Sequence, residues 1–160
     1  MRDAGPADVA AIRAVYNEGI ADRIATLDED PKTEADIAEW WSAHGGRYAV
    51  LVACEKFGPV TGWASLNPYS RRCAYRGVAD LSIYVARRWR GTGVGATLLE
   101  ALEGRARDNA FHKVVLFTFA FNAAAQRLYA RFGYREVGTF REQGRLDGAF
   151  VDVMAMEKIL

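Results

Sequence analysis

The stretch Arg87 to Leu102, RRWRGTGVGATLLEAL, constrains the fold more than any other part of this chain. Gly91, Gly93 and Gly95 recur at every second position, directly after the alternating run DLSIYV and directly before residues that read as a helix. In that run Leu81, Ile83 and Val85 share one face of a strand, and Asp80, Ser82 and Tyr84 share the other. Beyond the glycines, Val94, Leu98 and Leu102 form one helical stripe that ends near Asp108. The next run, HKVVLFTFAF, is apolar enough to read as a strand buried on both faces. A strand, a crossover helix and a second strand form a unit whose strands run parallel. Glycines let backbone N–H groups converge at the helix N-terminus without a Cβ in the way, so the loop is an anion site waiting for a phosphate.

The flanking segments call for antiparallel pairing. Pro6 and Asp8 precede Val9, Ile12, Val15, Tyr16 and Ile20, which is helical spacing behind a helix-opening signal, and only Met1 to Ala4 remain for a first strand. Thr33 is placed to cap the N–H of Asp36 in a second helix that buries Ile37, Trp40 and Trp41. RYAVLVACEKFGPVTGWASLNPY reads as a hairpin turning at Gly58 and Pro59. Asn122 is placed to cap a short helix through Leu128 and Tyr129, which Gly133 stops in a left-handed conformation. YREVGTFRE and GAFVDVMAMEKI close the chain around Leu146, Asp147 and Gly148. The expected fold class is α/β (α+β), a mixed and mostly antiparallel sheet with helices on both faces. Its 160 residues, 51% of them hydrophobic, suit one domain.

Composition narrows the partners. With 21 basic and 20 acidic residues the net charge is +1, which provides no global field for a polyanion, and no basic stripe interleaves with aromatics; nucleic acid is not expected. The longest apolar run is far shorter than the roughly 20 residues of a membrane span, so no membrane association is expected. Cys54 and Cys73 are not spaced as a metal pair and no secretory signal is visible, which implies a reducing cytoplasmic setting without a disulfide or a metal. His44 and His112 lie near element ends without a nucleophile motif and read as surface residues.

Two phosphate motifs compete for the glycines. Gly91, Gly93 and Ala96 fit the dinucleotide fingerprint G-x-G-x-x-A, but the acid that should follow the next strand is missing, and no Walker loop occurs. Arg90, Gly93 and Gly95 satisfy R-x-x-G-x-G instead, and Asn122 to Tyr134 supply N-x-x-x-x-x-L-Y-x-x-x-G-Y after the apolar strand. Together, in this order of elements, the motifs resemble the acetyl-CoA site of the GNAT N-acetyltransferases, and the resemblance covers essentially the whole chain. IRAVYNEGIADRIATLDEDPKT and YSRRCAYRGVADLSIYV further resemble the phosphinothricin and arsinothricin N-acetyltransferases and related amino-acid acetyltransferases. Where that subfamily commonly carries Glu ahead of its S-x-Y-V strand, this chain has Asp80, one methylene shorter.

The resemblance implies a GNAT fold in which the two parallel strands splay apart and the pantetheine arm of acetyl-CoA runs alongside DLSIYV. The pyrophosphate would lie on the N–H groups of Gly91, Gly93, Val94, Gly95 and Ala96 beside the Arg90 guanidinium. The N–H of Val85 would face the thioester oxygen as it becomes negative. Asn122 would meet the pantetheine amide, cap the last helix, or do both. Tyr129 would protonate the departing thiolate, since a phenol and a thiol are closely matched in acidity. Asp80 would act as base, directly or through a water, or would only attract the acceptor's ammonium group. Arg72 and Tyr75 would contact the acceptor, the Arg fork matching a carboxylate or phosphinate, and Ser82 and Tyr84 could line the same pocket. The implied reaction is acetylation of the α-amine of a small amino acid or amino-acid-like antibiotic by direct attack, in a homodimer, with GAFVDVMAM either an interface strand or equally an ordinary core strand. Acetylation of a protein N-terminus or lysine, and a non-catalytic CoA-binding sensor, are the competing possibilities.

Overall fold

A computed structural model describes residues 1–56 and 58–160. Among the described residues, seven strands and four α-helices follow in the order β1 (Arg2–Asp3), α1 (Val9–Ala21), α2 (Glu34–Ser42), β2 (Val50–Cys54), β3 (Val60–Pro68), β4 (Val78–Val85), α3 (Val94–Asp108), β5 (Lys113–Phe119), α4 (Ala123–Arg131), β6 (Arg135–Leu146) and β7 (Ala149–Ile159). They form one mixed sheet in the order β1-β2-β3-β4-β5-β7-β6. Every neighbouring pair is antiparallel except β4 and β5.

Local chemistry explains most boundaries. Thr33 accepts from the Asp36 N–H at 3.2 Å while the Asp36 carboxylate accepts from the Thr33 N–H at 2.8 Å, a reciprocal cap that opens α2. Asn122 accepts from the Ala125 N–H at 3.1 Å and opens α4. Gly133, at φ +85°, ends it in the left-handed region as expected. Asp147 and Gly148 both have positive φ, matching the twist of a tight hairpin between β6 and β7. Asp8 stands at the N-cap of α1 without a side-chain bond to that helix. Its carboxylate takes two hydrogen bonds from Arg2, at 2.6 and 2.8 Å, and one from the Gly5 N–H, which ties the two-residue β1 down onto the sheet.

Two apolar layers sandwich the sheet. On one side Leu98, Leu99, Leu102 and Ala106 of α3, all fully buried, pack with Leu81, Leu116 and α4's Tyr129. Each such leucine contributes about 1.5–3 kcal/mol of transfer free energy. On the other side Ile12 and Val15 of α1 and Ile37 of α2 cover Val52 and Trp63, with Trp40 and Trp41 only partly buried. The alternation of β4 survives intact: Leu81, Ile83 and Val85 join the α3 layer and Tyr84 joins the α1 layer. One expectation is corrected. Phe117 of β5 is 47% exposed, because no helix covers that part of the α1 face. Of the GAFVDVMAM segment, all but Gly148 lies in β7, an interior strand paired on both edges, which is the core-strand alternative, and the free edge on that side of the sheet belongs to β6.

Candidate active site

The parallel pairing of β4 and β5 is short. It runs from Val78 opposite Lys113 to Asp80 opposite Val115 and stops, although β4 continues to Val85 and β5 to Phe119. Beyond Asp80 the strands splay, and the opposite edge of β4 reveals which groups face the gap. Ala86 gives its N–H to Thr61 of β3 at 2.9 Å, and Val85 sits opposite Gly62. Hydrogen-bonded positions alternate along an antiparallel ladder, so Tyr84, Ser82 and Asp80 point their backbone groups at β3 and Val85 and Ile83 point theirs into the splay. Gly62 is required on the β3 side, since a Cβ there would stand 2.9 Å from the Tyr84 carbonyl oxygen.

A cavity of about 440 Å³ opens on this splay, lined by Val85, Gly91, Gly93, Gly95, Asn122 and Tyr129 among others. Gly91 and Gly93 adopt φ of +75° and +97°, which a side chain would strain. Gly93 is the N-cap of α3 and offers no side-chain acceptor, so the first-turn N–H groups of Val94, Gly95 and Ala96 have no partner within the helix. Gly95 instead serves packing: a Cβ would touch Leu128 at 3.4 Å. Arg90 lines the cavity, but its guanidinium is engaged. Nη1 pairs with Asp22 at 2.6 Å and Nε donates to the Val85 carbonyl at 3.0 Å, which pins the glycine loop to the end of β4. Arg87 pairs with the same Asp22, and its guanidinium is the first cause of an Asp22 carboxyl held below its ordinary range.

Asn122 is likewise engaged at both ends: besides capping α4 it donates from Nδ2 to the Ile24 carbonyl at 2.9 Å. It therefore clasps residues 22–33, the connection between α1 and α2, over the cavity. The same connection is held by Arg23 on Asp147 at 3.1 Å and by Leu27 against Gly144, where a Cβ would stand 2.5 Å from the leucine. Tyr129, 8% exposed, presents its ring to the cavity. Burial, and then the charge of Asp80, push its phenol well above the ordinary tyrosine range, so it remains protonated.

Asp80 faces the other side of the sheet. It lines a second cavity of about 520 Å³ with Arg72, Tyr75, Tyr69 and Phe117. Desolvation pushes its carboxyl up to about 6, opposed by hydrogen bonds from Asn67 and the Leu81 N–H. Arg72 makes no ion pair among the described residues, and Tyr75 packs edge-on against Tyr69 at 5.6 Å. Ser82 and Tyr84 share Asp80's face but not its pocket. They line a third cavity of about 470 Å³ with Tyr16, Trp40 and Trp63. The reason is that α1 and α2 roof the C-terminal half of β4, whereas Asp80 lies under the β3–β4 loop. Tyr84 is locked there by Trp63, stacked at 4.9 Å, and by Tyr16 at 4.7 Å.

The geometry belongs with a known family, whose model, described as the Acetyltransferase (GNAT) family, matches residues 12–134. The chain is a GNAT acetyltransferase. The L-methionine sulfoximine/L-methionine sulfone acetyltransferase of Pseudomonas paraeruginosa is 34% identical over 98% of this GNAT chain and 92% of that protein. The crystal structure of a GNAT superfamily phosphinothricin acetyltransferase from Sinorhizobium meliloti in complex with AcCoA matches with a TM-score of 0.94 and 31% identity, over 99% of this chain and 86% of that one. A ribosomal-protein-alanine N-acetyltransferase from Brucella melitensis matches with a TM-score of 0.93 and 34% identity, over 99% and 98% of the two chains. As a GNAT enzyme the protein takes its acyl group from acetyl-CoA. The unpaired edge of β4, the uncapped start of α3 and the cavity joining them fit an elongated ligand that carries amides at one end and phosphates at the other.

Three residues of this GNAT site carry no sequence signal. Asp22, at the end of α1, binds both Arg87 and Arg90 of the loop after β4, and Asn67 of β3 reaches Asp80 and Ser82. His44, which reads as a surface residue, is half-buried and bonded to Asn67 at 2.9 Å. His112 is exposed, in line with its expected place. No group of three His, Cys, Asp or Glu able to hold a metal occurs among the described residues, and no helix among them is long and apolar enough to cross a membrane.

Proposed function

We propose that this protein acetylates the α-amino group of a small amino acid or amino-acid-like antibiotic, of the phosphinothricin, arsinothricin or methionine sulfoximine type, by direct attack on acetyl-CoA in a ternary complex. One observation carries the reading: a single strand, β4, turns the Val85 N–H into the splay and the Asp80 carboxyl into a pocket that also holds Arg72 and Tyr75. The names of the methionine sulfoximine and phosphinothricin relatives support the acceptor class. The whole chain, residues 1–160, acts as one domain.

Each residue then has a step. The N–H groups of Gly91, Gly93, Val94, Gly95 and Ala96 receive the pyrophosphate at the start of α3, and Arg90 holds their loop in register while its exposed face adds positive charge. Asn122 keeps residues 22–33 closed over the pantetheine arm, with the protein's own carbonyl as its donor's partner. Arg72 receives the acceptor's carboxylate as a fork, and Tyr75 flanks it. Asp80, near 6, is mainly a carboxylate at neutral pH and takes a proton from the acceptor ammonium, directly or through a water. The freed amine attacks the thioester carbon, and the Val85 N–H donates to the oxygen that gains charge. Tyr129, still a phenol, gives its proton to the departing sulfur. Ser82 and Tyr84 shape the wall behind the acceptor from the adjoining aromatic cavity.

A homodimer is the proposed assembly, supported by the exposed Val137, Phe140 and Phe150 on the β6–β7 hairpin. A reducing cytoplasmic setting fits the two free cysteines, Cys54 and Cys73. A peptide N-terminus is the second reading, supported by the open rim of the acceptor pocket, where Tyr69 and Tyr75 are 41% and 40% exposed. A thiol-release assay with acetyl-CoA decides between them, using phosphinothricin, methionine sulfoximine, methionine sulfone, arsinothricin, free amino acids, a polyamine, an aminoglycoside and a short peptide. Turnover on the amino-acid analogues, lost in Arg72→Ala, upholds the first reading. Turnover only on the peptide selects the second, and acetyl-CoA binding without turnover on any acceptor overturns both.

A further inference from the structure

Asn67 lies on β3 directly opposite Asp80 on β4, and its side-chain amide is the hub of a polar chain crossing from α2 to the acceptor pocket. Its Nδ2 donates to Asp80 Oδ2 at 3.3 Å and to Ser82 Oγ at 3.1 Å. Its Oδ1 lies 3.0 Å from Ser65 Oγ and 2.9 Å from His44 Nε2. The other ring nitrogen of His44 lies 2.8 Å from the Trp40 carbonyl oxygen, and the imidazole packs on the Trp40 ring with centroids 4.2 Å apart.

The partners of this amide differ in how much they constrain it. The two serine hydroxyls donate or accept and follow whichever way the amide lies. Ionised Asp80 only accepts, and the Trp40 carbonyl beyond His44 only accepts. His44 and Asp80 therefore decide the orientation between them. With its Nδ1 hydrogen given to the Trp40 carbonyl, His44 draws the amide oxygen and sends the NH2 group to Asp80 only when Nε2 carries a hydrogen as well. An imidazole lacking that hydrogen is satisfied only by the reversed amide, which turns an oxygen lone pair on the carboxylate.

We propose that His44 is a positioning residue for the acetyl transfer, acting through Asn67 to keep an N–H donor on the Asp80 carboxylate. The proposal rests on Asp80 serving as the base. Burial pushes the Asp80 carboxyl up to about 6 even with the Asn67 donor in place, so without it the acid form gains further. The other charged or titratable neighbours are accounted for. Arg72, Tyr69 and Tyr75 share Asp80's cavity, and Tyr129 acts on it from α4. Around His44, Tyr48 and the ion-paired Asp3 and Arg105 line the outer cavity.

The test is a carbon-13 carboxyl titration of Asp80 by NMR, paired with the pH profile of kcat, in the wild type, His44→Ala, Asn67→Ala, the double variant and His44→Gln. The wild-type midpoint is expected near 6. His44→Ala should move it upward by a fraction of the about one pH unit that a hydrogen bond to a charged group is worth, because ionised Asp80 still draws the NH2 group while its acid form gains a reversed amide to donate to. Asn67→Ala, which removes the donor itself, should move it by the full unit, and the double variant no further than Asn67→Ala alone. His44→Gln, which restores an N–H donor, should return it toward the wild-type value and so separate the effect from misfolding. The acid limb of kcat should follow the midpoint while KM for acetyl-CoA stays constant. An unchanged midpoint in His44→Ala, or a His44 effect that persists without Asn67, overturns the proposal. A midpoint that moves while the acid limb stays put upholds the relay and removes Asp80 as base.

Discussion

Asp80→Asn should make the enzyme more stable as it makes it inactive, with a sign set by pH. The Asp80 carboxyl titrates near 6 in the folded chain against an ordinary 3.8, chiefly because the fold desolvates it. The folded state thus binds this proton more tightly than the unfolded chain, so folding loses stability as pH rises from about 4 to about 6 and carries the full cost above that. A displacement of roughly two pH units at about 1.4 kcal/mol each sets the ceiling at about 3 kcal/mol. Asparagine keeps the shape and an oxygen for Asn67 to bond, and it carries no charge to desolvate. For a chain of this size about 3 kcal/mol corresponds to a rise in Tm of about 6–12 °C. Thermal melts of wild type and variant at pH 4, 6 and 8 would reveal a gain at pH 8 that shrinks toward zero at pH 4. Over the same range kcat should fall by about 10²–10⁴. A variant no more stable than wild type at pH 8, or one whose advantage is undiminished at pH 4, refutes the view that Asp80 is held in a desolvated pocket.

Tyr129→Phe should lower kcat by about 10²-fold or more with little change in KM for acetyl-CoA, because only the proton donor is lost from a ring that otherwise packs unchanged; steady-state kinetics check the split. Gly93→Ala should cost about 1–2 kcal/mol and weaken acetyl-CoA binding, since φ of +97° disfavours a side chain even where nothing stands within 4 Å, as calorimetry and melts would measure. Gly104→Ala, in the interior of α3 with equally open space, should instead raise stability by up to about 1 kcal/mol and leave kinetics unaltered. Arg72→Ala should raise KM for an amino-acid acceptor by about 10-fold or more, the worth of a charge-assisted hydrogen bond, and leave KM for acetyl-CoA unchanged.

Much of this molecule was legible in local residue chemistry. The period-two alternation of β4, the cap at Thr33, the stop at Gly133 and the glycine loop ahead of α3 are each decided within about a dozen residues, and the structure places each as expected. The parallel pair followed from the strand–helix–strand order, because a single crossover helix returns the chain in the same direction. What the sequence left open depends on register between distant segments. Asn67 reaches Asp80 because β3 and β4 pair 67 with 80; a slip of one residue would send that amide to the opposite face. Asp22 claims Arg87 and Arg90 from 65 or more residues away, His44 meets Asn67 only where α2 ends over the sheet, and Ser82 is parted from Asp80's pocket by the roof of α1 and α2. The sequence alone determined which backbone groups are free to bind a phosphate, since bare N–H groups at a helix start are a local property. Only the tertiary structure decided which carboxylate is desolvated and which side chain holds its donor, because both depend on what the rest of the chain stacks against them.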